Sequence, residues 1–214
     1  MQLVYTGGVM IKKQVIIYAI GCLGLLIATI ITTGHVVFIL GPSCSGKTTV
    51  SYQLARELGA PWKVVSYDQW EAYIGRSSAP ASTIFAHMIN EVHNQIDAGY
   101  DVIVDANRYF PDACNSLMQE GNTCTNIYLY APLKVLLKRC KKRLKEHNHG
   151  QKWSKSIRTF LQMTFEHFYP HDMPEQTDGL VIDTAKVQSH EVVRIIKRRV
   201  IKWKQEEAER QKQL

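Results

Sequence analysis

Gly41, Gly46, Lys47 and Thr48 stand in the order G-x-x-x-x-G-K-T, and the apolar run His35 to Leu40 leads straight into them. The chemistry of that spacing is anion binding. The glycines let the backbone N–H groups of Ser43, Cys44, Ser45, Gly46, Lys47 and Thr48 turn inward, where the N-terminus of a following helix completes a cradle for phosphate. Lys47 then reaches the β- and γ-phosphates, and the Thr48 hydroxyl ligates Mg²⁺. Thr49 opens a helical pattern that runs to Leu58 and is stopped by Gly59 and Pro61. ATP and Mg²⁺ are the expected ligands. Cys44 lies inside the loop, where a thiol reagent would block nucleotide binding, but no catalytic step calls for it.

Moving a phosphoryl group also requires a carboxylate toward the attacking hydroxyl, a second one for the metal, and cations over the transferred group. Asp68 follows the β-rich run Trp62 to Tyr67, and Asp105 follows the buried run Asp101 to Val104. Asp68 is the candidate base and Asp105 the carboxylate that holds Mg²⁺ through water. Both could instead cap helices, since each follows a strand and precedes a possible helix. Between Lys134 and Arg158 lie ten Lys or Arg against one acid, Glu146. A segment this basic meets phosphates, nucleic acid or an anionic membrane. Most of its charges can only be solvated surface, and one or two are expected to touch phosphate.

The elements that must position these residues alternate. Strands are expected at His35 to Leu40, Trp62 to Tyr67, Asp101 to Val104, Asn126 to Tyr130 and Leu180 to Asp183. Helices are expected at Thr49 to Leu58, Ser82 to Ala98, Leu133 to Lys145, Ser156 to Phe168 and Glu191 to about Lys212. Such alternation gives crossover units and a parallel sheet, an α/β fold of P-loop NTPase type with three α/β/α layers. In an open parallel sheet the working residues gather at the strands' carboxyl ends, here the loop, Asp68, Asp105 and Asp183. Five cysteines without a C-x-x-C pair are read as reduced thiols, as befits a compartment that holds ATP. His147, His149, His167 and His171 match no metal-ligand spacing. Tyr67, Trp70 and Tyr73 could wall a planar acceptor or simply fill core and surface positions.

Ahead of this domain, the 17 residues Val15 to Ile31 are uncharged and apolar, near the lower limit for a membrane span, and Lys12 and Lys13 precede them. The leading expectation divides the chain into a hydrophobic helix at 1–34, serving as membrane anchor or signal anchor, and a catalytic domain at 35–214 with a basic lid at about 134–158. A cleaved signal peptide and a helix buried in protein are the alternatives. The protein would then be membrane-associated through a single pass with its domain on an ATP-containing side, or cytoplasmic if the segment is no anchor. A first strand of about six residues at ~3.3 Å each puts the phosphate loop roughly 20 Å from the anchor's end, which favours a soluble or protein acceptor over a lipid headgroup.

The set GPSCSGKTT, VVSYD, VIVDANR, LLKRCKKR and LVIDT resembles the P-loop kinases that include chloramphenicol phosphotransferase, zeta-toxin-like kinases and polynucleotide 5′-kinases, from about His35 to Val200. The resemblance implies Asp68 as base and Asp105 beside the metal, with Asn107 and Arg108 near the acceptor. It places Arg139 and Arg143 in the lid's R-x-x-x-R, with Arg143 on the β- and γ-phosphates, and Thr184 at the adenine end. The expected activity is ATP-dependent phosphorylation of a hydroxyl on a small molecule or a protein. A polynucleotide 5′-hydroxyl kinase is the second reading, and a membrane-tethered nucleotide switch without kinase chemistry the third. No N-K-x-D-like guanine-reading segment is present, which argues against a GTPase.

Overall fold

The protein's structure is a computed structural model that describes residues 33–75, 80–107, 111–147, 158–159 and 179–211. These belong to one compact unit, Thr33–Leu214. The apolar segment at residues 15–31, the expected helix Ser156 to Phe168 apart from residues 158–159, and Arg108 lie outside the described residues. Among those described, no helix is long and apolar enough to cross a membrane.

Five strands, β1 (His35–Leu40), β2 (Trp62–Ser66), β3 (Asp101–Ala106), β4 (Thr123–Tyr130) and β5 (Leu180–Asp183), form a parallel sheet in the order β2-β3-β1-β4-β5. β1 is central because it is apolar at nearly every position and can be covered on both faces. Its alternate residues point to opposite sides. Val36, Phe38 and Leu40 join Val102 and Val104 under helices α3 (Ala81–Asp97) and α4 (Pro111–Gln119). Val37 and Ile39 join Ile103, Ile127 and Leu129 under α1 (Lys47–Leu58) and α6 (Ser189–Gln211). Helix α3 presents Ile84, Met88, Val92 and Ile96 inward, four residues apart, so one stripe covers the sheet. Helices α2 (Tyr67–Ile74) and α5 (Leu133–His147) stand at the carboxyl ends of β2 and β4.

Several boundaries differ from the sequence expectation, each for a local reason. Tyr67 starts α2 rather than ending β2, and β3 runs on through Asp105 to Ala106, fully buried, because it pairs with β1 up to Leu40. Strand β4 starts at Thr123 because His35 and Val36 pair with Thr123 and Cys124 across the sheet. Helix α4 was not anticipated: its residues, PDACNSLMQ, include several poor helix formers, and burial of Cys114 and Leu117 decides its conformation instead.

The amino ends of the strands are tied to α6. The Asp101 carboxylate accepts the His35 backbone N–H at 2.9 Å and pairs with the Lys204 ammonium, while Glu207 accepts the Thr123 hydroxyl and lies 3.4 Å from His35 Nδ1. The Gly34 N–H donates to Asn122 Oδ1 at 2.9 Å. Burial pushes the His35 pKa below its usual 6.5, the Lys204 charge adds to this, and Asp101 and Glu207 oppose it only in part. Hence the His35–Glu207 contact is that of a neutral ring. The folded protein holds fewer protons here than the unfolded chain, so this site's stabilisation is complete above pH 6.5 and is lost as pH falls from there toward the lowered value. The urea midpoint is therefore expected to fall between pH 7 and pH 5, and to fall less in His35→Gln; equal slopes for the two proteins would refute this account.

Candidate active site

The phosphate loop leaves β1 at the centre of the sheet and turns directly into α1. Gly41 is fixed by a close approach: at φ 142° a Cβ there would sit 2.0 Å from the Leu129 carbonyl oxygen. Gly46 ends the loop in the left-handed region at φ 102°, and Cys44 adopts φ 66°, uncommon for a residue with a side chain. The turn is held by the Ser45 N–H donating to the Pro42 carbonyl at 3.2 Å. Ser45 Oγ is buried in the loop without a hydrogen-bond partner among the described residues, a polar atom left for a ligand to satisfy. Such a loop fits a polyphosphate.

Lys47 is buried at the start of α1 and donates from Nζ to the Pro42 carbonyl at 3.1 Å. Burial pushes its ammonium below the usual lysine value, Asp105 and Asp68 draw it back up, and Arg143 lowers it further. Asp105, at the buried end of β3, is the matching case. Burial raises its carboxyl above the usual range, the Lys47 charge and a hydrogen bond from the Thr48 hydroxyl lower it, the Asp68 charge raises it, and the Ser66 hydroxyl, 3.4 Å away, lowers it again. Thr48 and Asp105, the residues expected at Mg²⁺, are thus near neighbours, the hydroxyl close enough to favour the carboxylate. Together they supply two oxygen donors beside the cradle, which suits an ion that draws the rest of its shell from phosphates and water.

Asp68 is exposed in the first turn of α2, and its Oδ1 accepts a hydrogen bond from Asn107 Nδ2 at 3.3 Å. The structure therefore gathers Lys47, Thr48, Asp68, Asp105 and Asn107 from three separate segments. The N-cap of α2 is Ser66, so the helix-cap alternative for Asp68 does not apply. Asp183 does act locally: it accepts the Ala185 N–H at 2.9 Å and the Tyr130 hydroxyl at 3.1 Å, closing the turn after β5.

Helix α5 turns one face inward, with Leu136 and Cys140 buried four residues apart. Arg139 and Arg143 flank that face. Arg139 donates to the Thr184 hydroxyl at 2.9 Å and to the Thr184 carbonyl, while Thr184 in turn donates through Oγ to the Tyr130 carbonyl at 3.0 Å. These two expected nucleotide contacts are bonded to each other. Arg143 is exposed, with its charge felt at Lys47. Lys138, Lys141, Lys142 and Lys145 face solvent.

One expectation is overturned. Cys44 and Cys140 are not reduced thiols but form a disulfide across 96 residues, with Cα atoms 5.7 Å apart, whereas Cys114 and Cys124 stay thiols. Sequence spacing could not show the pairing, because only the packing of α5 against the loop brings the two cysteines together. Spacing also missed the cleft of about 370 Å³ along the outer edge of β2, lined among others by Ser66, Gln69, Trp70, Tyr73 and Glu91. The aromatic signal there was legible, but the Trp70 ring lies edge-on to Tyr73 and stacks on His87, each with centroids 5.7 Å apart. Part of its surface is thus already covered.

The AAA_33 family profile, described as an AAA domain, matches residues 36–167, more than half of the chain. The chain belongs to this AAA domain family. The match covers the P-loop, Asp68, Asp105 and helix α5 of this AAA domain, so its P-loop kinase-like fold agrees with the resemblance drawn from the sequence. Among solved structures, a protein of Chloroflexus aurantiacus is similar at 17% identity and a TM-score of 0.60, over 80% of this chain and 98% of that one. A gluconokinase of Sinorhizobium meliloti is similar at 18% identity and 0.52, over 76% and 89%. The tunicamycin resistance protein of Deinococcus radiodurans is similar at 20% identity and 0.52, over 78% and 95%. No curated protein matches this AAA domain sequence.

The buried ammonium gives a direct test. Replacing Lys47 with Met removes a charge disfavoured by burial but leaves the buried Asp105 without its counter-charge, so the melting temperature should fall while the protein stays folded and binding of a fluorescent ATP analogue is lost; adding Asp105→Asn should recover part of the fall. Unfolding together with lost binding would show Lys47 to be structural.

Proposed function

We propose that this protein is an ATP- and Mg²⁺-dependent phosphotransferase that moves the γ-phosphoryl group to a hydroxyl of a small molecule or a protein. The observation that carries the reading is the meeting of Asp68 and Asn107 with the Lys47, Thr48 and Asp105 group at the mouth of the phosphate loop. Bound Mg²⁺ would supply charge neutralisation on the phosphates, and Thr48 and Asp105 are the residues to hold it. The loop amides orient the polyphosphate, and Lys47 stabilises charge on its outer oxygens. Asp68 accepts the proton of the attacking hydroxyl at Oδ2 or Oδ1, while Asn107 fixes the carboxylate's direction. Arg143, exposed on the lid helix, is free to turn toward the transferred group.

The acceptor's approach is inferred from the β2 cleft. Ser66 lines it and also touches Asp105, and Gln69 and Trp70 follow Asp68 on α2, so the cleft opens beside the candidate base. Its mixed aromatic and polar lining favours a small polar compound with one apolar face. A polynucleotide acceptor is the second reading, supported by the solvent-facing lysines of α5. Attachment to a membrane through residues 1–34, with the catalytic domain on an ATP-containing side, is proposed on the apolar run.

The test uses the full chain with Mg²⁺ and γ-labelled ATP, offered hydroxylated small molecules, proteins and 5′-hydroxyl oligonucleotides. Asp68→Ala should lower transfer about 10²- to 10⁴-fold, the usual contribution of a general base, with ATP affinity retained. Transfer unchanged in Asp68→Ala would remove Asp68 from the mechanism. Tight ATP binding without transfer to any acceptor would instead favour the non-catalytic switch.

A further inference from the structure

The mechanism above gives the Cys44–Cys140 pair nothing to do, yet the pair occupies a decisive place. Cys44 belongs to the phosphate loop, and Cys140 sits on the inner face of α5 between Arg139 and Arg143. The disulfide therefore joins the element that receives phosphate to the element that carries cations toward it. The other described polar tie from the middle of this helix to the body is Arg139 on Thr184, a set of hydrogen bonds that can break and reform. The disulfide cannot do so without chemistry. A domain that uses ATP works where thiols are ordinarily kept reduced, and disulfides in such settings are commonly redox-sensing rather than structural.

We propose that Cys44 and Cys140 form a thiol–disulfide modification site that gates exchange at the nucleotide site; this rests on the nucleotide-site part of the proposed function, not on the identity of the acceptor. In the disulfide state the lid helix is fixed to the loop with the two Cα atoms 5.7 Å apart, a separation that leaves no room for the lid to lift. Nucleotide entry and departure need that movement, as lid opening limits turnover in many enzymes of this kind. In the dithiol state the helix is held by Arg139 and by the packing of Leu136, and it can open.

The interconversion balances with common reagents. Two molecules of a low-molecular-weight thiol reduce the bond: the first thiolate attacks one protein sulfur to give a mixed disulfide, the second displaces the remaining protein thiolate, and both cysteines take up protons. The products are two protein thiols and one small-molecule disulfide. In the other direction, hydrogen peroxide oxidises one cysteine to a sulfenic acid with release of water, and the second thiol displaces a further water as the S–S bond forms. Two electrons and two protons leave the pair of thiols, and peroxide becomes two waters.

The experiment measures dissociation of a fluorescent ATP analogue from the full chain, after treatment with dithiothreitol or with hydrogen peroxide, with no acceptor present. Peptide mapping of each sample follows the Cys44–Cys140 cross-link. Peroxide should produce that cross-link and slow dissociation at least tenfold; dithiothreitol should reverse both. Cys140→Ser should keep the fast rate under either treatment, and reduced wild type supplies the same comparison if that variant folds poorly. Cross-linked protein that exchanges nucleotide within twofold of the reduced rate would overturn the gate, as would a different cysteine pairing. Failure of the reduced protein to bind the analogue at all would overturn the nucleotide site itself, a result distinct from equal rates in two binding-competent states.

Discussion

Everything at the carboxyl end of the sheet depends on the contact between Gly41 and the Leu129 carbonyl. β1 and β4 run parallel and paired as far as Leu40 and Tyr128, and the chain must then bend over its neighbour to form the phosphate loop. A side chain at position 41 would lie 2.0 Å from the Leu129 oxygen, so only glycine permits the bend. The burial of β1 on both faces makes the sheet rigid at this point, and that rigidity lets backbone amides hold a fixed geometry.

On this frame the electrostatics form a closed set. Lys47 is buried deeply enough for burial to be the largest influence on it, and Asp105 is buried on the strand next door. Each makes the other's charge tolerable, with Asp68 and Arg143 as outer members of the set. This mutual dependence links the strand ends to one another more tightly than hydrogen bonds alone would. It also explains why a lysine with one direct bond, to its own loop, can be held inside the fold.

The parallel architecture was readable because apolar runs, loop glycines and helical periodicity agreed from His35 to Leu58 and again at Leu180–Asp183. The roles of Lys47, Thr48, Asp68 and Asp105 could be posed from spacing, and the fold brings these residues together. Helix α4 could not be read, because its helicity comes from tertiary burial of Cys114 and Leu117 rather than from local propensity. The Arg139–Thr184 bonds, the Cys44–Cys140 bridge and the tie of α6 to the strand ends escaped for another reason. Each joins residues 45 to 172 positions apart, and such partners leave no trace in local pattern.

The fastening of Gly34 and His35 has a mechanical consequence. The chain enters β1 with its amides held by Asn122 and Asp101, and β1 then pairs with a parallel strand on each side. A pull on the chain at Thr33, directed along β1 away from the phosphate loop, would load both ladders in shear, straining many hydrogen bonds at once instead of peeling them singly. The fold thus opposes tension applied at Thr33 along the axis of β1 with two ladders at once.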